Sequence, residues 1–140
     1  MLQRISFFII VAVMFSGCSV NRLELNTTMQ MKNKNSTNVL LPTGSLNPAT
    51  LVIDKGIKYT VAFTPMRKII FISTSDSNFA IKGLRINNVL PTDYFNNINF
   101  NYIPGWGYYV YLDNGWYAGF DFQTRPDKDS KIIWFFKFKF

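Results

Sequence analysis

Apolar side chains alternate with more polar ones over residues 57–63, IKYTVAF, and this period of two predicts a β-strand with one buried face. The sequence TPMR at 64–67 has the composition of a turn. Residues 68–74, KIIFIST, follow as a nearly continuous apolar run, which is typical of a strand in the middle of a sheet. We therefore expect an antiparallel hairpin over residues 57–74.

A second hairpin is predicted over residues 105–122, GWGYYVYLDNGWYAGFDF, and its register depends on the length of the loop. A two-residue loop, 114–115, would pair Leu112 with Tyr117 and put Val110, Gly119 and Asp121 on one face, which mixes polar and apolar side chains. A three-residue loop, 113–115, leaves one face wholly apolar, and a slip of one residue moves every side chain to the opposite face. The three-residue loop is therefore predicted, with the pairs Leu112–Trp116, Val110–Ala118 and Tyr108–Phe120. Its apolar face would carry Trp106, Tyr108, Val110, Leu112, Trp116, Ala118, Phe120 and Phe122, and its other face Tyr109, Tyr111, Tyr117 and Asp121.

Alternation returns in residues 131–140, KIIWFFKFKF. One side would carry Ile132, Trp134, Phe136, Phe138 and Phe140, and the other side Lys137 and Lys139. This segment resembles the C-terminal strand of outer-membrane β-barrels. The alternative is a strand of an ordinary sheet whose lysines protect an exposed edge or face. We favour the second, because residues 76–101 do not look like strands and the remaining chain is too short for a membrane barrel.

The least strand-like stretch, DSNFAIKGLRINNVLPTDYFNNI at 76–98, contains one short helix candidate, at about 91–98. Pro91 is tolerated in a first helical turn, Asp93 complements the helix dipole, and Phe95 and Ile98 are spaced to pack on the sheet. The predicted fold is therefore α+β. An antiparallel sheet of about five strands, with one short helix on one face, would form a single domain over residues 51–140.

The N-terminus has a separate character. Arg4 precedes an eleven-residue apolar stretch at 5–15, the length of a signal-peptide core and short of the roughly 20 residues that span a bilayer. Ser16, Gly17 and Cys18 follow, and Cys18 is the only cysteine. This order resembles the lipobox of bacterial lipoprotein precursors, with Phe15 where that family usually has an aliphatic residue. The alternative is an ordinary secretory signal with an incidental cysteine.

The lipoprotein resemblance implies that residues 1–17 are removed and that Cys18 is acylated and held by membrane lipid. Ser19 resembles the residue of lipoproteins that are sent to the outer membrane, facing the periplasm. Residues 18–50, rich in Asn, Thr, Lys and Ser, are then predicted to be a flexible tether that spans about 30 Å. The segments 71–88, 104–122 and 131–137 resemble small uncharacterised envelope lipoproteins, which brings no known activity.

Composition argues against catalysis. The chain has no histidine, its eight acidic residues form no evident pair, and no glycine-rich phosphate loop occurs. Asp127 and Asp129 are best explained by a turn. We therefore expect no enzyme activity, no cofactor and no metal. Loss of Arg4 with the signal leaves 14 basic against 8 acidic residues, a net charge of +6 that favours anionic headgroups or lipopolysaccharide. Export argues against a nucleic-acid partner.

The three tyrosines Tyr109, Tyr111 and Tyr117 form a candidate binding patch for a protein or a glycan, unless the helix covers them. The predicted function is a non-catalytic interaction or assembly role in the cell envelope, with an envelope protein bound at this patch or at an exposed strand edge. The alternatives are a module that binds glycan or lipopolysaccharide, and an inhibitor of an envelope-directed hydrolase.

Overall fold

The structure is a computed structural model that describes residues 23–26, 28, 37–121 and 124–139. Within these residues the chain forms one curled antiparallel sheet of eight strands, in the order β1-β2-β3-β4-β8-β7-β6-β5. The elements in chain order are β1 Thr37–Leu40, β2 Leu46–Asp54, β3 Ile57–Phe63, β4 Ile69–Thr74, α1 Thr92–Asn96, β5 Asn101–Ile103, β6 Gly107–Asp113, β7 Trp116–Gly119 and β8 Trp134–Phe138.

The predicted α+β fold with about five strands is wrong, because the described chain is mostly β and has eight strands. Two of the additional strands, β1 and β2, take up most of residues 37–50, which were assigned to the tether. Their sequences contain Asn, Pro and Thr and carry little apolar alternation. They form because β2 pairs along β3, from Ala49 opposite Ala62 to Asp54 opposite Ile57. These strands are therefore held by backbone hydrogen bonds to a neighbouring strand rather than by an alternating apolar pattern of their own.

The predicted hairpin over residues 57–74 is confirmed. Strand β3 has the expected bounds, and the Thr64 and Arg67 N–H groups close the turn on the carbonyl oxygens of Lys68 and Thr64, at 2.9 and 2.7 Å. Strand β4 lies between β3 and β8, as expected of a central strand. A bulge beside Phe63 places Ile69 and Phe71 on opposite faces of the sheet.

The β6–β7 hairpin combines parts of both registers that the sequence allowed. Val110 pairs with Ala118 as predicted, but Asp113 rather than Leu112 pairs with Trp116. The loop has two residues, Asn114 and Gly115, both at positive φ (49° and 80°), as the common hairpin turn requires. A bulge at Leu112 absorbs one residue, so the expected alternation is restored beyond it.

The sheet has an inner and an outer face, and each buries its own cluster. Residues next to the two edge strands meet on the inner face, because Leu41 after β1 and Trp106 after β5 belong to one cluster. The Trp106 Nε1–H also donates to the Leu40 carbonyl oxygen at 3.1 Å. The sheet therefore curls around this face. The buried inner residues are Leu41, Ala49, Ala62, Phe71, Trp106, Tyr109, Phe136 and Phe138.

The outer face is covered by the chain between β4 and β5, including α1. Helix α1 lies within the predicted range, and Phe95 and Ile98 pack against the outer cluster as expected. The buried outer residues are Tyr59, Val61, Ile69, Ile72, Phe79, Leu90, Val110, Leu112, Ala118, Phe120, Ile132 and Phe135. Burial of this layer is a main source of the stability of the sheet.

Three predicted side-chain placements need correction. Strand β8 is a central strand between β4 and β7, so its lysines do not protect an edge. Trp134, Phe136 and Phe138 share the inner face as predicted, but Ile132 precedes the strand and lies in the outer cluster. Trp106 lies on the inner face, because it occupies the turn before Gly107 rather than the strand. Phe122 and Phe140 lie outside the described residues.

Candidate binding face on the inner side of the sheet

An aromatic cluster fills the middle of the inner face, with Phe136 at its centre. The Phe136 side chain is fully buried (0% exposed). It is in ring contact with Phe71, Trp106, Tyr109, Tyr117, Trp134 and Phe138, at centroid separations between 4.7 and 6.5 Å. Such edge and stacked contacts add to the burial of apolar area, so this face is rigid where the cluster is complete.

The structure brings the three predicted tyrosines together beside this cluster. Tyr111 and Tyr117 are a direct cross-strand pair with ring centroids 5.4 Å apart, and Tyr109 lies 5.6 Å from Tyr117. Their exposure differs: Tyr109 is 9% exposed and buried, Tyr117 is half-buried, and Tyr111 is 50% exposed. Tyr111 is therefore the member of the patch that a partner meets first.

Helix α1 does not cover the tyrosine patch, because it packs against the outer cluster. Its Tyr94 hydroxyl reaches only the backbone of β6, where it donates to the Tyr111 carbonyl at 2.9 Å. Burial raises the pKa of the Tyr109 and Tyr117 phenols, and a neighbouring tyrosine raises each of them further. Both phenols are therefore neutral at physiological pH and keep their O–H donors.

Beyond Phe136, small polar side chains replace the aromatic rings on the inner face. Thr60 of β3 pairs with Ser73 of β4, and Ser73 pairs with Phe136, so the hydroxyls continue the transverse row that holds Tyr117 and Tyr111. Together with Leu51, Ser75 and Trp134 they line an open cleft of about 510 Å³. Among the described residues, the hydroxyls of Thr60, Ser73 and Ser75 have no hydrogen-bond partner, so they are available to a ligand.

Trp134 forms the aromatic wall of this cleft, and Gly119 fixes its position. Gly119 of β7 is paired with Trp134, and a Cβ built at residue 119 would overlap the indole Nε1 and Cδ1. The absent side chain lets the indole lie directly on the backbone of β7. The indole also packs against Trp106, with the two ring centroids 4.7 Å apart. This cleft is not predicted from the sequence, in which its only signal is the small residues at inward positions of β3 and β4.

The acidic residues near these surfaces serve turns. The Asp76 carboxylate accepts the backbone N–H groups of Lys58 (3.0 Å) and Asn78 (2.9 Å), and these hydrogen bonds lower its pKa. Asp127 accepts the Ser130 hydroxyl (2.8 Å) and the Asp129 N–H (3.0 Å), so this pair forms the turn predicted for it. In the described ranges no three metal-binding side chains come together.

We expect Asp76→Asn to destabilise the protein at neutral pH, because the amide has one acceptor oxygen where the carboxylate uses two. The folded-state pKa of Asp76 is lowered, so its stabilisation is present above the unfolded-state pKa and is lost as pH falls through about 4 towards the folded value. Urea unfolding of both proteins at several pH values measures this. The difference in midpoint should shrink between pH 7 and pH 3, and a constant difference would contradict the assignment.

Comparison with protein-family models, curated proteins and solved structures finds no match to this chain or its fold. The predicted signal peptide and Cys18 lie outside the described residues. Within those residues, no helix has the length and apolar character needed to cross a bilayer.

Proposed function

We propose that this protein is a cell-envelope lipoprotein, anchored through acylated Cys18 in the outer membrane and facing the periplasm, with a non-catalytic interaction or assembly role. The anchor is supported by the order of Arg4, the apolar stretch 5–15 and the Ser16-Gly17-Cys18 sequence. Two acyl chains on one thiol hold a protein on a bilayer where a single chain would be released.

The binding role is supported by one observation above the others: the inner face presents Tyr111 and the half-buried Tyr117 on a rigid aromatic base. Tyrosine is enriched at the energetic centres of protein interfaces, because it buries a large area with few rotatable bonds. Phe136 stacks under Tyr117 at 5.3 Å and holds its ring in place, so little entropy is lost on binding. A protein partner in the envelope is the proposed ligand of this patch.

The anchor is tested by intact mass spectrometry of the protein extracted from membranes of its native cells. The expected mass is that of the chain from Cys18 with acyl groups attached, and Cys18→Ser should abolish that species and leave uncleaved precursor. A membrane-extracted chain that retains Met1 and carries no acyl mass would refute the anchor.

The binding role is tested by cross-linking and co-purification of the acylated protein from its native envelope. Tyr111→Ala should remove the partner, whereas Tyr102→Ala should not. Tyr102 is a matched control, because it is 52% exposed but packs on Tyr108, whose side chain contacts the outer cluster. Equal recovery of the partner with all three proteins would contradict the proposed patch.

A second candidate function, the binding of a glycan, is favoured by the cleft beside Trp134. A sugar ring stacks on an indole and uses its hydroxyls for hydrogen bonds, and Thr60, Ser73 and Ser75 supply uncommitted partners beside that indole. Binding of the protein to peptidoglycan fragments or lipopolysaccharide that is lost in Ser73→Ala, but kept in Tyr111→Ala, would favour this function over the first.

A further inference from the structure

The short N-terminal segment that the structure describes, residues 23–26 and 28, is packed on one end of the sheet. The Asn26 N–H donates to the Ile69 carbonyl at 2.8 Å, and the Lys139 ammonium donates to the Asn26 side-chain oxygen at 3.4 Å. Thr28 forms a β-bridge with Lys68. Leu23 and Leu25 pack against the outer cluster. The segment is therefore fixed where β4 begins and β8 ends.

The covalent chain limits the distance between this end of the sheet and the proposed anchor. Five residue steps separate Cys18 from Leu23, and each step spans at most about 3.6 Å, so the two residues lie within about 18 Å of each other. The predicted tether of about 30 Å therefore does not separate the domain from the bilayer. If Cys18 is acylated, as the proposed function holds, this end of the sheet is the end nearest the lipid.

The same end of the sheet is basic. Arg67 and Lys68 lie in the β3–β4 turn, Lys139 follows the end of β8, and all three side chains are exposed. Lys137 is not part of this surface, because it is half-buried with its ammonium 5.4 Å from the centre of the Trp116 ring. The acidic residue Asp113 at the end of β6 is 4.0 Å from the Lys82 ammonium, which offsets its charge. Glu24 is the one acidic residue of the packed segment. We call the surface formed by Met66, Arg67, Lys68 and Lys139 the basic end.

The opposite end of the sheet carries charges of both signs. Asp54 and Lys55 share the β2–β3 turn, Asp76 follows β4, Asp121 follows β7 and Lys131 precedes β8. Charge thus distinguishes the end beside the packed N-terminal segment from the end remote from it.

At the tip of the basic end, Met66 is 74% exposed, an apolar side chain beside cationic neighbours.

We propose that the basic end is a membrane-contact surface that lies against anionic lipid headgroups of the bilayer that holds Cys18. Arg67, Lys68 and Lys139 meet the negative surface, and Met66 enters the layer of headgroups. Acyl chains and a basic patch are the two signals that together give stable and oriented attachment. The strands then rise from the bilayer, and the inner face is directed sideways rather than into the lipid.

The orientation is tested with the acylated full-length protein reconstituted in vesicles, with an environment-sensitive fluorophore on a single introduced cysteine. Cys18 is the only native cysteine and its thiol is blocked by acylation, so Met66→Cys is labelled uniquely. Ser77→Cys, exposed beyond β4 at the opposite end, is the matched control. In vesicles of phosphatidylcholine with phosphatidylglycerol, the label at residue 66 should shift to the blue and be quenched by lipid-borne quencher, and the label at residue 77 should show neither change.

Arg67→Gln with Lys68→Gln should reduce quenching at residue 66 towards the level at residue 77, as should pure phosphatidylcholine vesicles. Equal quenching at residues 66 and 77 in anionic vesicles, or quenching at residue 66 that does not depend on lipid charge, overturns the proposal. Failure of the anchor is a separate result: a chain without acyl mass does not float with vesicles of either composition. A protein that floats while residue 66 stays unquenched refutes the membrane-contact surface alone.

Discussion

Phe136→Ala is expected to lower the free energy of unfolding by about 3–5 kcal/mol, the largest loss from any single truncation in the inner cluster. Phe136 is fully buried and supports the rings of Tyr109, Tyr117 and Trp134 at once. Its strand lies in the middle of the sheet, so the cavity cannot be closed by movement of an edge. Urea unfolding followed by near-ultraviolet circular dichroism measures both the loss and the loosening of the aromatic cluster.

Two further substitutions make the Phe136 result specific. Phe136→Leu keeps most of the apolar volume and should cost clearly less than the alanine change. Ile133→Ala, in the residue just before β8, removes a side chain that is already exposed to solvent and should have little effect. A Phe136→Ala protein as stable as Ile133→Ala would show that the inner cluster does not support the fold.

Gly119→Ala is expected to destabilise the protein by about 1–3 kcal/mol, although alanine is a conservative change elsewhere. The new methyl group occupies the space of the Trp134 indole, so the ring has to leave the backbone of β7 and its contact with Trp106. The fluorescence of Trp134 and the unfolding midpoint should both change. The backbone at Gly119 is not at positive φ, so the loss would come from the overlap rather than from backbone strain.

A double-mutant cycle isolates this overlap. In a Trp134→Leu background the side chain opposite residue 119 is smaller and flexible, so Gly119→Ala should cost much less than in the native background. An equal cost in both backgrounds would show that the glycine serves some purpose other than seating the indole. The same four proteins can also be compared for ligand binding at the cleft, because Trp134 is its aromatic wall.

The sequence pattern predicted those elements whose own side chains determine their place. Strand β3 alternates because Tyr59 and Val61 are buried in the outer cluster while Lys58 and Thr60 between them are more exposed. Strand β4 is apolar on both faces because Phe71 is buried in the inner cluster and Ile72 in the outer one. The short helix was predicted from Pro91 and Asp93 at its start. In each case local propensity and tertiary burial act in the same direction.

The elements that were missed depend on neighbours distant in sequence. Strand β1 has four residues of mostly exposed sequence and is ordered by pairing with β2, which no periodicity reports. The bulge at Leu112 was not predicted, because a two-residue turn with a bulge and a three-residue turn place residues 107–111 on the same faces of the sheet. The tyrosine patch could be predicted from alternation, but its unequal exposure could not. That exposure is set by Phe136, Phe138 and Trp106, which lie outside the β6–β7 hairpin and pack on the inner face.

Strand β8 follows the other seven in chain order yet joins β4 to β7. Until it is inserted, β1–β4 and β5–β7 are two separate meanders, each with an unpaired edge at β4 or β7. The sheet therefore cannot be completed while the chain is still being synthesised from its N-terminus, because β4 and β7 are joined only by the last strand. This topology leaves two exposed strand edges in the unfinished chain, and it should make C-terminal truncation at residue 133 far more damaging than deletion of β1, which lies at one edge of the sheet.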